Sequence, residues 1–224
     1  MYSLRGYQCE SCVTSPEQAF EAQRRGADRI ELCVRLETEG MTPDAELVAE
    51  VLDTVSIPVR VMIRHTTSGY AADDHVLDQM LESMDQIRLW PVEGFVLGLL
   101  HQERIDRARM EVLLQHAMPF PVTFHKAIDL VTHKEEDILW LNQFPQVDTL
   151  LTSGGADRAI DGLEGIRYLQ SLFKGQVMAA GKITAEVLPQ IHTAYRAHRS
   201  NVFLCTILGR VVFLALRCLF PHHE

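Results

Sequence analysis

The 224-residue sequence lacks several features that define large classes of proteins. It has no basic excess, since 21 Lys and Arg against 30 Asp and Glu give a formal charge of −9. Nucleic acids and anionic membrane surfaces attract basic proteins, so neither is expected as a partner. The N-terminus carries no apolar segment of signal-peptide length. Residues 201–220 are apolar but short for a bilayer span, and Arg210 and Arg217 interrupt them.

Cysteines are few, and their number is odd. The five lie at irregular spacings, at Cys9, Cys12, Cys33, Cys205 and Cys218. This is not the pattern of a disulfide framework, and without a secretory signal we expect reduced thiols and a cytoplasmic protein. No Gly-x-Gly-x-x-Gly fingerprint follows any predicted strand, and no other motif for an organic cofactor is evident.

What the sequence does contain is a regular alternation of β-rich and helix-period segments. The β-rich runs are 7–13, 29–33, 59–64, 94–99, 122–125, 149–153, 176–180 and 202–206. Helical segments separate them at 16–25, 44–55 (with Thr42 as N-cap), 73–89, 106–116, 135–142, 159–173 and 185–196. Such alternation predicts right-handed β-α-β units, and eight strands close a barrel. We therefore expect an α/β fold, a (β/α)8 TIM-type barrel forming one domain over residues 1–224. A doubly wound open sheet is the alternative.

One face of the predicted strands is unusually polar near the carboxyl ends. Strict alternation turns Val59, Val61 and Val122 toward the helices and turns a polar set inward: Glu10, Cys12, Glu31, Cys33, Arg64 and His125. Barrel enzymes place their chemistry at this rim. The alternative is an inward Glu–Arg network that satisfies only itself.

Cys12 and Cys33 each end one of two consecutive strands, which lie roughly 4.7–4.9 Å apart in a sheet. Two thiolates at that spacing suit a soft ion such as Cu(I). The alternative is that both thiols are small buried hydrophobic groups. A disulfide is a third option, which a reducing compartment disfavours.

A second cluster of candidate residues follows strand five. His125 is a candidate general acid or base with Asp129 orienting it, while alternation turns Lys126 away from His125. The Ser153-Gly154-Gly155 turn and Gly181 let the backbone approach a ligand, so their amides form a candidate anion site.

Together these segments resemble the CutC family. The matching pieces are Glu10-Ser11-Cys12, GADRIELC (26–33), GMTP (40–43), VMIR (61–64), GFVLGLL (94–100), TFHKAID (123–129) and LLTSGG (150–155). The resemblance implies a (β/α)8 barrel, a cytoplasmic location, a homo-oligomer (most often a dimer) and a role in copper handling. Cysteines matching Cys12 and Cys33 are the ones proposed as Cu(I) ligands in that family.

The family's polar rim, matched by Glu10, Glu31, Arg64, His125 and Asp129, also suits an enzyme. The chain departs from the family pattern after strands three, seven and eight, for example at His65-Thr66-Thr67-Ser68. Two hypotheses therefore stand. One is a copper protein with Cys12 and Cys33 as ligands. The other is a barrel enzyme acting on a small anionic or phosphorylated metabolite, with His125 as acid/base, Glu10 or Glu31 as a second carboxylate and Arg64 as anion anchor.

Overall fold

A computed structural model describes residues 7–67, 69–184, 186–187, 190–191 and 202–207. Eight parallel strands run through this part of the chain. They are β1 (Tyr7–Val13), β2 (Arg29–Leu32), β3 (Val59–Met62), β4 (Gly94–Leu97), β5 (Val122–Phe124), β6 (Val147–Thr152), β7 (Gln176–Ala179) and β8 (Val202–Ile207). All eight were predicted, and most ends shift by no more than two residues.

The strands curl into a parallel sheet whose pairing order is circular. From β1 the order runs through β8, β7, β6, β5, β4 and β3 to β2, which pairs with β1 again. The β7–β8 contact rests on one register pair, Ala179 with Leu204. The predicted α/β fold with a curled parallel sheet is therefore confirmed. The helix predicted at 185–196 and the terminal segment 208–224 lie wholly or largely outside the described residues.

The described residues contain six α-helices, which connect the strands: α1 (Pro16–Arg25), α2 (Ala45–Thr54), α3 (Asp74–Ile87), α4 (Arg107–Ala117), α5 (Lys134–Leu141) and α6 (Leu163–Leu172). The predicted N-cap of α2 was wrong. Asp44, not Thr42, caps the helix, because its carboxylate accepts from the Leu47 amide at 2.8 Å. The Thr42 hydroxyl instead pairs with the backbone of Arg64. None of the described helices is long and apolar enough to cross a membrane.

Buried apolar side chains form two separate clusters, as the alternation predicts. The larger lies between sheet and helices and includes Ile30, Leu32, Val61 and Phe124. The smaller lies inside the curled sheet and comprises Cys12, Cys33, Met62, Val96, Leu151, Met178 and Ala180. Neighbouring residues on a strand point to opposite faces, so β1, β3, β4, β6 and β7 each contribute to both clusters.

Two local features were not predicted. Residues Lys126–Leu130 form a 3-10 helix directly after β5, with His125 at its N-cap. A short hairpin, Leu100–His101 with Arg104–Ile105, follows β4. Asp137 of α5 holds this hairpin through the Arg104 guanidinium and the Ile105 amide. The hairpin is thus stabilised by a buried carboxylate of a helix about 30 residues further along the chain, and the local sequence does not reveal this contact.

Candidate functional site

A cavity of about 580 Å³ opens at the carboxyl ends of the strands. Its wall includes side chains from several strands and the loops that follow them, among them Cys12, Glu31, Met62, His125, Leu151 and Ala180. This is the rim at which the sequence predicted a site. Of the predicted residues, Cys12, Glu31, His125 and Gly181 line the cavity itself.

The two predicted thiols lie together, Cys12 on the wall of the cavity and Cys33 buried behind it. The Sγ atoms of Cys12 and Cys33 are 3.6 Å apart, and both residues are thiols rather than a disulfide. Cys12 is 7% exposed and Cys33 is fully buried. Gly40 (φ +89°) makes this packing possible, since a Cβ there would lie 3.3 Å from Cys33 and from the Met62 methyl.

Beneath the thiols lies a cluster of buried carboxylates. The Cys12 thiol donates to Glu31 Oε1 at 3.1 Å. Burial and the neighbouring charge of Glu10 raise the pKa of the Glu31 carboxyl to about 8. Glu10 is itself fully buried and forms an ion pair with Arg29. The predicted carboxylates are thus adjacent, but Glu10 faces an arginine rather than the cavity.

His125 is buried in the wall of the cavity as a neutral imidazole. Burial and the charge of Arg64 lower its pKa to about 3. Its Nδ1 accepts from the Ala127 amide at 3.3 Å, which places the ring proton on Nε2. Nε2 has no hydrogen-bond partner among the described residues. With this pKa, His125 is a hydrogen-bond donor at neutral pH rather than a proton-releasing acid.

Arg64 ties the loops after β2 and β3 together. Its guanidinium donates to the carbonyl oxygens of Thr38, Gly40 (2.9 Å) and Gly69 (3.1 Å). It also lies over the Tyr70 ring, 4.9 Å from the centroid. Its two terminal nitrogens are therefore committed to backbone, and Nε is buried without a partner among the described atoms. Sequence alone does not reveal these carbonyl partners.

Asp129 does not orient His125, contrary to the sequence-based expectation. Its carboxylate accepts from the Ser153 amide and hydroxyl at 2.8 Å each, from the Gly155 amide at 2.9 Å and from the Thr152 hydroxyl. The Gly154 amide donates to the Thr152 hydroxyl at 2.8 Å. The amides of the predicted Ser153-Gly154-Gly155 turn therefore already have acceptors, and an external anion there has to displace the Asp129 carboxylate.

Lys126 lies on the cavity wall together with His125, although alternation predicts opposite directions. The strand ends at Phe124, and the following 3-10 turn changes the direction of side chains. The Lys126 ammonium is 3.4 Å from the Glu39 carboxylate. The cavity mouth thus carries a charge pair that the period-two pattern does not reveal.

The amino-terminal end of the interior contains a network centred on Arg60. Its guanidinium contacts Glu93 at 2.8 Å, the Thr123 hydroxyl at 2.7 Å and Asp148 through two bonds of 2.7 Å. Arg60 is 1% exposed. Here the inward charges pair with one another. This part of the polar face therefore matches the alternative given above, a buried ionic network with no ligand.

Within the described part of the chain, no group of three or more His, Cys, Asp and Glu side chains has the arrangement of a metal site. The Cys12–Cys33 pair is therefore not part of a larger ligand cluster among the described residues. Because metal–thiolate bonds are about 2.3 Å long, a single ion can contact two sulfurs at this separation.

Fold and site together define an α/β protein with a curled parallel sheet and a cavity, beside a thiol pair, at the carboxyl ends of its strands. The CutC family model matches residues 7–202. The chain belongs to the CutC family.

Two relatives agree with this assignment, and a solved structure shares the fold. The human copper homeostasis protein cutC homolog is 36% identical over 195 residues, which are 84% of this chain and 70% of that protein. The family protein CutC of Proteus mirabilis is 35% identical over 175 residues, or 77% of this chain and 69% of the relative. A crystal structure of CutC from Streptococcus agalactiae superposes with a TM-score of 0.81 at 22% identity, covering 91% of this chain and all of that one.

Proposed function

We propose that this protein is a cytoplasmic copper homeostasis protein that binds Cu(I) through Cys12 and Cys33 at the mouth of a (β/α)8 TIM-type barrel. The observation that carries the proposal is the 3.6 Å separation of the two Sγ atoms beside an open cavity. The names of the human and mouse relatives support the copper role. A homodimer, as the family resemblance implies, is part of the proposal.

The surroundings of the thiols suit a soft monovalent ion. Sulfur ligands favour Cu(I) over the harder divalent ions, which take oxygen ligands. Cys12 reaches the cavity, so an ion has an entry path to it, whereas Cys33 closes the site from behind. Met62 packs in the same interior cluster and keeps the site apolar.

An anaerobic competition titration of Cu(I) against a chromophoric chelator tests the proposal. We expect one equivalent to bind the wild type and binding to be lost in both Cys12→Ser and Cys33→Ser. Cys9→Ser is the matched control, because Cys9 lies on the same strand but packs in the cluster between sheet and helices. Cu(I) binding that is unchanged in both Cys12→Ser and Cys33→Ser would contradict the thiol-pair site, as would equal loss of Cu(I) binding in Cys9→Ser.

A second candidate function is that of an enzyme or binding protein for a small metabolite, with Glu10 or Glu31 and Arg64 beside His125. The observation that favours it is that His125 lines the cavity while its buried Nε2 has no partner among the described residues. In this function the neutral His125 ring polarises or orients an acceptor atom of the ligand. Arg64 acts there as a source of positive charge, since its terminal nitrogens bind backbone carbonyls.

A further inference from the structure

We infer that the cavity binds a small organic carboxylate with an apolar body, and that the Nε2–H of His125 donates a hydrogen bond to its carboxylate group. The inference rests on the second candidate function, for which it names the ligand class. It does not depend on copper binding, because the donor is the histidine rather than the thiol pair.

The first support is the cost of a buried donor that has no acceptor. His125 is 3% exposed, and its Nε2 has no partner among the described residues. Leaving such a group unpaired is unfavourable, and native structures retain the arrangement mainly where a ligand or water completes it. An acceptor atom on a ligand in the cavity completes this one.

The second support is that the ring is held firmly in one orientation. The Ala127 amide fixes Nδ1 as an acceptor. Tyr70 packs 4.9 Å from the ring, centroid to centroid. On another side, Gly98 is so close that an added Cβ would lie 2.9 Å from two ring atoms. The Nε2–H therefore points in a set direction before any ligand arrives, which lowers the entropic cost of binding.

The charge around His125 favours an anionic acceptor over a neutral one. Arg64 and Lys126 both contribute positive charge at the ring, whereas Glu39 opposes them. Glu39 and Lys126 pair with each other, which leaves Arg64 as the largest charge effect on the ring. A hydrogen bond from a neutral donor to a carboxylate is stronger than one to a neutral oxygen, and the nearby Arg64 charge increases that preference.

The turn after β6 disfavours a phosphorylated ligand. Phosphate sites are built from free backbone amides, and here the amides of Ser153 and Gly155 donate to Asp129. An internal carboxylate thus occupies the place of an external phosphate, and its negative charge repels a second anion. The observations therefore favour a carboxylate held at His125 rather than a phosphate held at the turn.

Much of the remaining cavity wall is apolar and fits a hydrocarbon body, although Glu31 and the paired Asp157 and Lys182 also line it. Leu36, Met62, Leu151, Ala180 and Ile183 line it. The volume of about 580 Å³ lies within the range of about 300–1,000 Å³ that small-molecule pockets have. A short-chain fatty acid is therefore the simplest probe of this ligand class.

The test is a titration of metal-free protein with hexanoate, followed by calorimetry and by ¹⁵N NMR of the histidine side chains. We expect saturable binding and a shift of the His125 Nε2 resonance. His125→Phe keeps a planar ring but removes the donor, and we expect it to weaken binding about ten- to a hundredfold. His125→Gln, which retains an N–H donor, is expected to bind more tightly than His125→Phe. His116→Phe is the matched control at a surface histidine that contacts Asp85.

Absence of saturable hexanoate binding to the folded wild type would overturn the inference, as would equal binding by the wild type and His125→Phe. Tighter binding of hexyl phosphate than of hexanoate would overturn the choice of carboxylate. Hexanoate binding that persists in Cys12→Ser would support a histidine site that is separate from the proposed copper site. Binding of a carboxylate without turnover supports the inference and argues against the enzyme function. The inference and the enzyme function are therefore contradicted by different results.

Discussion

The carboxylate of Asp129 accepts two hydrogen bonds from Ser153, one from its amide and one from its hydroxyl, both 2.8 Å long. Asp129 lies in the 3-10 segment Lys126–Leu130 after β5, and Ser153 follows β6. This contact joins two neighbouring loops at the rim of the cavity. It gives Asp129 a structural role that differs from the orienting role that the sequence indicates.

Asp129→Ala is therefore expected to destabilise the protein. It removes a charged acceptor from four donors, and we expect the free energy of unfolding to fall by about 2–4 kcal/mol. Urea denaturation measures the loss, and faster hydrogen exchange at the Ser153 and Gly155 amides locates it. Asp157→Ala is the control, because Asp157 is exposed and pairs only with the exposed Lys182 among its described contacts. An equal effect of both substitutions would contradict the role assigned to Asp129.

Gly98→Ala is expected to displace the His125 ring. The added Cβ would lie 2.9 Å from Cε1 and Nδ1 of His125, closer than packed side chains tolerate. Overpacking of this kind costs about 1–3 kcal/mol in the free energy of unfolding. The matched test is the double variant Gly98→Ala/His125→Ala, in which the space of the ring is vacant. We expect its destabilisation to be smaller than the sum of the two single effects, whereas strict additivity would show that the ring is not what the methyl group meets.

The pH dependence of stability follows from the lowered pKa of His125. Its folded value of about 3 lies below its ordinary value of 6.5, so the unfolded chain binds the proton more readily. The contribution of the neutral His125 to the free energy of unfolding is present in full above pH 6.5. It is lost as the pH falls toward 3, at up to about 1.4 kcal/mol per pH unit. Arg64, Lys126 and Glu39 are the charged groups that act on the ring.

Urea denaturation at a series of pH values checks this dependence. We expect His125→Gln to show a shallower loss of stability between pH 6.5 and 4 than the wild type. His116→Gln, a substitution at a surface histidine, is the control. Parallel curves for wild type and His125→Gln would rule out a buried neutral His125.

Arg60→Lys is expected to destabilise the amino-terminal end of the interior although it preserves the charge. Lysine cannot reproduce the two parallel bonds to Asp148 together with the contacts to Glu93 and Thr123. We expect a loss of about 2–4 kcal/mol in the free energy of unfolding, which urea denaturation measures. Arg158→Lys, at an exposed arginine paired with Asp161, is the control and should stay within about 0.5 kcal/mol. If both changes cost the same, the Arg60 network contributes little.

Much of the candidate site was predictable from the alternation of side chains along single strands. Glu31 and Cys33 lie on the opposite face of the sheet from Ile30 and Leu32, because successive residues of a strand point in opposite directions. The same rule placed Cys12 beside Cys33, since both end neighbouring parallel strands. These inferences need only local geometry and the order of strands, and the structure agrees with them.

Other parts of the site depend on contacts that a local pattern does not contain. The change of direction at Lys126 arises because β5 ends at Phe124 and a 3-10 turn begins. The N-cap of α2 was misplaced by two residues, because Thr42 has a distant partner in Arg64. In each case a contact between residues far apart in sequence overrides the local preference.

The sequence by itself determined the class of fold, the inward face of β1, β2, β3 and β5 and the membership of Cys12, Glu31 and His125 in one rim. Hydrophobic periodicity suffices for these features because the strands must bury their apolar side chains. Only the tertiary structure decided what the polar groups do. It assigned Asp129 to the turn at Ser153, committed Arg64 to backbone carbonyls and left the Nε2 of His125 without a partner among the described residues. Hydrogen bonds are directional and short, so their partners are set by the folded arrangement of loops rather than by residue spacing.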